Sequence, residues 1–305
     1  MKLSDIKRVL ILGSGTMGRQ IGFLCALKGY NVVLYDISME ALKDSLKGME
    51  DLGAWFISIG RMPQGDLSKV MGRVQISTDS VEAAKEADLI SESVPDIPEI
   101  KAQVFAKFNE LCPERTVFTT NTSMLVPSMF AEQTGRPEKL VALHFHDVRT
   151  TDIVDVMPHP ESEPEIVELV RDFAESLGQV VIMLACENSG YVFNSMLSTL
   201  LMSALTLAAN GVASIEDVDR SWMGVMRTPI GPFGIMDQIG LSTVWTIIDY
   251  AAKNSGDPQA KANAAFVKRY IDGGALGMKT MCGFYSYPKP AYSDPNFLSG
   301  TGAAR

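Results

Sequence analysis

The stretch from Val9 to Asp36, VLILGSGTMGRQIGFLCALKGYNVVLYD, leaves the chain little freedom in what it can fold into. It opens on Val9–Leu12, an unbroken apolar run of the kind a parallel strand buried on both faces requires. Gly13, Gly15 and Gly18 follow in the spacing G-x-G-x-x-G. Helix-compatible sequence then runs to Leu27, where Lys28 and Gly29 supply a cation and a stop. A second apolar run, Val32–Tyr35, ends on Asp36. Strand, glycine loop, helix, strand and acid, in that order, make a dinucleotide site. Gly13 permits the tight turn, Gly15 lets the main chain approach a pyrophosphate, and Gly18 lets the helix lie close on the sheet. The helix start at Thr16 and Met17 offers unpaired N–H groups to the phosphates. Asp36 suits a ribose 2′-hydroxyl and repels a 2′-phosphate, so the expected cofactor is NAD and not NADP.

A chain of 305 residues is long enough for two domains, each with its own core. Its net charge of −9, with no long basic run, argues against nucleic acid or an anionic membrane surface as partner. Cys25, Cys112, Cys186 and Cys282 are widely spread and form no C-x-x-C pair. They read as buried free thiols in a reducing compartment, with neither a disulfide framework nor a metal site expected. The apolar run after Met1–Lys7 is too short for a signal peptide and passes directly into the glycine loop, which points to a cytoplasmic protein.

Beyond Asp36 the pattern predicts a helical hairpin, about 39–71, broken at Arg61–Gly65. Strands follow at Val74–Ser77, Asp88–Ser91, Thr116–Thr120, Leu140–Phe145, Ile153–Met157 and Gln179–Leu184, with helices at Val81–Glu86, Ile97–Leu111 and Pro164–Leu177. This alternation means a Rossmann-type, doubly wound α/β domain over residues 1–187. From residue 188 to 305 the pattern is all-α. Ser189–Ala209 is apolar enough to suggest a membrane span, but Asn194 and several serines favour a buried or intersubunit helix. Ser214–Asp217 reads as a capped helix start, with further helices at Leu241–Lys253 and Ala260–Ile271. Such an apolar first helix points to a homodimer, and a single buried core would explain the same pattern about as well. The tail from Pro288 reads as poorly ordered.

A nucleotide domain joined to a helical domain implies hydride exchange with a small-molecule substrate, and alcohol oxidation also needs a base. Histidine fits, and the chain offers His144, His146 and His159. His144 and His146, two apart at a strand end, face the same side, so periodicity does not choose between them. Asp152 and Asp155, on the next segment, could orient a ring nitrogen.

Six ordered motifs, NTS at Asn121–Ser123, LHF at Leu143–Phe145, IVDV at Ile153–Val156, GYVFN at Gly190–Asn194, PIGPFGIMDQIG at Pro229–Gly240 and LGMKTMCGFYSYP at Leu276–Pro288, resemble the L-3-hydroxyacyl-CoA dehydrogenase family from Arg8 to Pro288. The resemblance implies NAD, a helical dimerising domain, and reversible oxidation of a 3-hydroxyacyl-CoA to its 3-ketoacyl-CoA. It implies His144 as general base, Asp155 as the acid that orients it, and Ser123 and Asn194 as groups holding the reacting oxygen. It also places Lys101 and Asn121 along the nicotinamide half of the cofactor site, and leaves Arg61 and Lys69 of the hairpin as candidate contacts to CoA.

The chain departs from the family in four places. The usual H-F-F-N-P is His144-Phe145-His146-Asp147-Val148. The separation from His144 to the acid is one residue shorter, and the acid is Asp, not Glu, so the loop Val148–Asp152 must absorb the deletion. The usual Pro-Gly-Phe before the asparagine is Ser189-Gly190-Tyr191, with Ser195 after it in place of the common Arg. The hairpin is shorter and poorer in lysine. These changes leave hydride chemistry intact and open a second reading, oxidation of a free 3-hydroxy acid or polyol acid as in L-gulonate or carnitine dehydrogenase relatives. A non-catalytic NAD-binding protein is the third, and retention of Ser123, His144 and Asn194 together argues against it.

Overall fold

The computed structural model describes residues 1–299, and the last part of the tail, residues 300–305, lies outside the described residues. The described chain divides into two compact units, Met1–Asn194 and Ser195 onward.

The first unit is organised on an eight-stranded sheet in the order β3-β2-β1-β4-β5-β6-β7-β8. Its first half comprises β1 (Arg8–Leu12), α1 (Thr16–Leu27), β2 (Asn31–Tyr35), α2 (Met39–Ser58), α3 (Leu67–Met71) and β3 (Val74–Ser77). The second half runs through α4 (Ser80–Ala84), β4 (Leu89–Glu92), α5 (Pro98–Leu111), β5 (Val117–Thr120), β6 (Leu140–Phe145), β7 (Ile153–Met157), α6 (Pro164–Ser176) and β8 (Val180–Met183). The strands of the dinucleotide half are parallel, and β1, β4, β5 and β6 are buried along nearly their whole length. That explains the continuous apolar character of β1 after Arg8 and of β6 up to His144. Chain order reverses between β1 and β4. Ligands of such sheets sit outside the carboxyl ends of the strands at that switch point.

One connection breaks the βαβ rhythm. Between β6 and β7 there is no helix, only the loop 146–152, and the two strands pair antiparallel. A crossover to a parallel neighbour needs a dozen or more residues, whereas a short loop turns the chain straight back. Register then pairs His144 directly with Asp155. The loop between them is anchored: Gln20 accepts from the Val148 N–H at 3.1 Å.

The second unit contains α7 (Phe193–Ala209), whose first turn holds the boundary, then α8 (Ile215–Met226), α9 (Pro232–Ile239), α10 (Leu241–Ser255) and α11 (Pro258–Asp272). Three details differ from the sequence expectation. First, α7 starts at Phe193, because Gly190 (φ 78°) and Tyr191 (φ 53°) form a left-handed turn that a helix cannot include. Second, the short α9 was hidden in a motif that reads as loop because Pro232 opens it and glycines flank it. Third, the described part of the tail is folded, with short helical turns at Ala291–Ser293 and Phe297–Ser299. Phe297 is buried, with the Arg220 guanidinium over its ring and donating to its carbonyl at 2.6 Å.

Two buried carboxylates organise this unit. Asp219 accepts from the Phe233 and Gly234 N–H groups (2.8 and 3.0 Å) and from the Tyr285 hydroxyl (3.0 Å). Asp237 accepts from the Phe284 and Tyr285 N–H groups (2.8 and 2.9 Å) and from the Tyr287 hydroxyl (2.9 Å). Gly283 stands where it does because a Cβ there would lie 2.0 Å from the Asp237 carboxylate. The motifs PFGIMD and GFYSY are thus two halves of one buried polar network.

Among the described residues, no helix is long and apolar enough to cross a membrane. Cys25 and Cys112 are buried free thiols as expected, but Cys186 and Cys282 are exposed, since both lie in loop segments outside the cores.

Candidate active site

The carboxyl ends of β1, β4, β5 and β6 converge on one edge of the sheet. Gly13, at φ 93°, turns the chain after β1, and a Cβ on it would meet the Ser93 carbonyl at 2.7 Å. Gly18 is closed in from below, since a Cβ would stand 1.9 Å from the Gly13 carbonyl oxygen and 3.2 Å from Ile11. Gly15 differs: it caps α1 in an ordinary extended conformation, and a Cβ there would meet nothing within 4 Å. The glycine is needed there to keep the space beyond it open, which is where a pyrophosphate approaches. Asp36 accepts from the Ser14 N–H and hydroxyl, each at 2.9 Å, and from the Ser38 N–H at 3.1 Å. With Gly13, Gly15, Tyr35, Val94 and Pro95 it lines a cavity of about 640 Å³. An open loop, a helix start and a carboxylate at the far strand end fit an adenosine diphosphate with free ribose hydroxyls.

A second cavity, about 410 Å³, is lined by Thr16, Met17, Asp96, Asn121, Ser123 and His144, among others. His144 is held from behind. Its Nδ1 lies 3.0 Å from the Asp155 carboxylate, and its ring stacks on Tyr191 with centroids 4.7 Å apart. With Nδ1 engaged, Nε2 is the nitrogen available for chemistry. His146 presents Nε2 to the same Asp155 oxygen at 3.3 Å and is not among the cavity-lining residues. Burial pushes the Asp155 carboxyl up, but the hydrogen bonds from His144 and His146 more than offset it and hold the group below its usual value. Asp152, the other acid considered from sequence, instead pairs with Arg61.

Asn121 spends its side-chain oxygen on the Phe145 N–H at 2.7 Å, tying the end of β5 to β6. Ser123 donates its hydroxyl to Asp96 at 3.3 Å, and the Asn194 amide reaches the Ser123 carbonyl at 3.4 Å. Ser123 thus lines one cavity with His144, and Asn194 reaches the Ser123 main chain.

Lys101, expected along the nicotinamide half of the cofactor site, is taken up in a buried ion pair. It is fully buried and lines neither cavity. Its ammonium sits on the Glu92 carboxylate (2.7 and 2.9 Å), the Asp96 carboxylate (3.1 Å) and the Val94 carbonyl (3.3 Å). Its part is to hold the loop after β4, which then presents Asp96 to Ser123. Arg61 and Lys69 also lie away from the histidine. Arg61 pairs with Asp152, donates to the Val148 carbonyl at 3.3 Å and covers Phe56, while Lys69 is exposed on α3. Asp96, Tyr191 and the buried Glu92 are the site residues that sequence reasoning missed. No sequence pattern distinguishes Asp96 from a surface acid just ahead of a helix.

The family model of the 3-hydroxyacyl-CoA dehydrogenase NAD-binding domain matches residues 8–187, and that of the C-terminal domain matches residues 190–287. A 3-hydroxybutyryl-CoA dehydrogenase of Clostridioides difficile is 30% identical over 92% of this chain and 100% of its own length. A probable 3-hydroxybutyryl-CoA dehydrogenase of Bacillus subtilis is 28% identical over 93% and 98%. Among solved structures, a diketoreductase described for its dual catalysis of dicarbonyl compounds superposes with a TM-score of 0.83 at 38% identity, covering 92% of this chain and 99% of its own. The (S)-3-hydroxybutyryl-CoA dehydrogenase of Ralstonia eutropha gives a TM-score of 0.84 at 26% identity, over 93% and 100%. Fold, glycine loop and relatives together define an NAD-dependent oxidoreductase acting on a CH–OH group. The chain belongs to the 3-hydroxyacyl-CoA dehydrogenase family.

Proposed function

We propose that the chain interconverts a short-chain L-3-hydroxyacyl-CoA and its 3-ketoacyl-CoA, with His144 as the general base. The observation that carries the base assignment is the His144–Asp155 contact at 3.0 Å, made across a directly paired strand register at the wall of a cavity that Asn121 and Ser123 also line. Gly13, Gly15, Thr16, Met17, Gly18 and Asp36 would hold NAD, which would supply the hydride acceptor. His144 Nε2 takes the C3 hydroxyl proton, and Asp155 steadies the resulting imidazolium. Ser123 and Asn194 hold the oxygen that changes charge. In the reducing direction the same nitrogen returns the proton.

Support for a phosphate-bearing carrier comes from a cavity of about 680 Å³ beside the hairpin, lined by Arg19, Lys47 and Arg149 together with Asp44 and Asp51. With Arg61 taken up by Asp152 and Arg149 by Asp147, Arg19 and Lys47 join Lys69 as the cations to test for CoA. A second reading, reduction of a free dicarbonyl or 3-keto acid, is favoured by the 38% identity to the diketoreductase and by the shortened hairpin. NADH oxidation with acetoacetyl-CoA, run beside free acetoacetate and a simple 1,3-diketone, tests both. Turnover of the thioester alone supports the first reading; turnover only of the free compounds overturns it in favour of the second.

The helical half is read as dimerising, in a reducing, cytoplasmic setting. Val212, Val225 and Met226 are exposed there and border one apolar groove, which supports burial against a second copy. Light scattering giving a monomer at micromolar concentration would overturn that reading.

A further inference from the structure

His144 and His146 meet on one carboxylate, that of Asp155. Alternation puts residues two apart on the same side of an extended segment, and antiparallel pairing sets Asp155 directly opposite His144. The outcome is a cluster of two imidazoles and one carboxylate. His144 Nδ1 lies 3.0 Å and His146 Nε2 3.3 Å from the same Asp155 oxygen, and all three donor atoms lie within 4.8 Å of one another.

We infer that His144, His146 and Asp155 form a binding site for a divalent transition metal of the zinc type, and that loading it silences the base. Donors on a tetrahedral zinc at about 2.0–2.1 Å stand roughly 3.3 Å apart, so two of the three edges already have the required length. The third edge closes by rotation of His146. That ring has room to move, being only half-buried beyond the end of β6, with Phe193 and the His144 ring edge-on to it. A fourth, non-protein ligand completes the shell. Two nitrogens and one oxygen select zinc, cobalt or nickel over magnesium and calcium, which take oxygen ligands.

The consequence for catalysis follows from imidazole chemistry and rests on the His144 assignment above. A metal on Nδ1 leaves the ring's one proton on Nε2, and a protonated Nε2 cannot accept the hydroxyl proton. Zinc here is an inhibitor that competes with the Asp155 hydrogen bonds, in contrast to a Lewis acid that a dehydrogenase would need facing its substrate.

The test is a cobalt titration of the full chain, followed by visible ligand-field absorption. The expected result is one equivalent bound with tetrahedral-type bands, displaced by zinc, and weakened at least roughly 100-fold in His146→Phe and in Asp155→Ala. Cys186→Ser and Cys282→Ser retain the signal, although these exposed thiols are the obvious rival donors. His146→Gln serves where the Phe variant fails to fold, and circular dichroism with NADH binding checks folding throughout. No binding tighter than millimolar, or bands that survive in His146→Phe, overturns the site. Turnover is read separately. Zinc should abolish wild-type activity in proportion to occupancy and leave the residual activity of His146→Phe unaffected. A cobalt-loaded protein that turns over normally would keep the metal site and refute His144 as base.

Discussion

Replacing Asp155 by alanine isolates the contact on which the mechanism depends. The carboxylate is 1% exposed and accepts from His144 at 3.0 Å while His146 stands 3.3 Å away, so nothing in solvent replaces it when it goes. A hydrogen bond to a charged group contributes about 1.5–3 kcal/mol, and the bond to His144 strengthens when the imidazole becomes positive in the transition state. At about 1.4 kcal/mol per tenfold, kcat should fall roughly 10- to 150-fold. The effect belongs in kcat, because Asp155 lines neither cavity and touches neither the glycine loop nor Asp36. The assay is steady-state NADH oxidation with the best substrate from the panel above, beside a direct measurement of NADH affinity. His144→Ala should lose about 10²–10⁴-fold, and the double variant little more, because the two residues act as a unit. A kcat within about threefold of wild type, with folding intact, would mean that less than 1 kcal/mol passes through the contact, and the orienting role would be refuted.

Gly15→Ala and Gly18→Ala should separate cofactor binding from folding. The first has open space and an ordinary φ, so melting stays unchanged while NADH affinity drops about tenfold or more, whereas the second, 1.9 Å from the Gly13 carbonyl, lowers the melting temperature itself. Lys101→Met strands the buried Glu92 carboxylate and should cost about 3–5 kcal/mol, read as a melting temperature lower by about 10 °C or more, with part recovered in the Lys101→Met, Glu92→Gln double variant. Burial pushes the Asp219 carboxyl up to about 6 against its three hydrogen-bond donors, from 3.8. A raised folded value means the native state holds more protons between those limits. The stability this contributes is fully present below about 4 and lost as pH rises through about 6, a span of about 3 kcal/mol. Denaturant melts of the wild type against Asp219→Asn over pH 4–7 check it: a wild-type slope no steeper than the variant's would contradict the sign.

What could be read from the sequence divides along a physical line. Local rules placed β1, α1, β2 and the hairpin, since an apolar run, a glycine spacing and a helix stop act within a few residues of one another. The same-side disposition of His144 and His146 was likewise legible, because strand alternation is local. Which of the two faces a cavity was not, for that depends on Asp155 arriving from an antiparallel strand and on Tyr191 packing beneath the ring. Lys101, Asp219 and Asp237 expose the deeper limit. A buried charge and a surface charge are the same letter, and only the partners distinguish them: Glu92 for the lysine, backbone N–H groups and tyrosine hydroxyls for the acids. Those partners lie between nine and some 66 residues away. The departures from the family follow the same logic. A missing residue between His144 and Asp155 looks from sequence like damage to the base, yet a cross-strand pair tolerates a shorter loop provided its register is kept. A shorter acid then suits the shorter reach, since residues directly opposite on paired strands stand closer than a glutamate needs. Asp155→Glu alone should therefore crowd His144 and His146 and lower kcat, where family resemblance by itself would have it improve the enzyme.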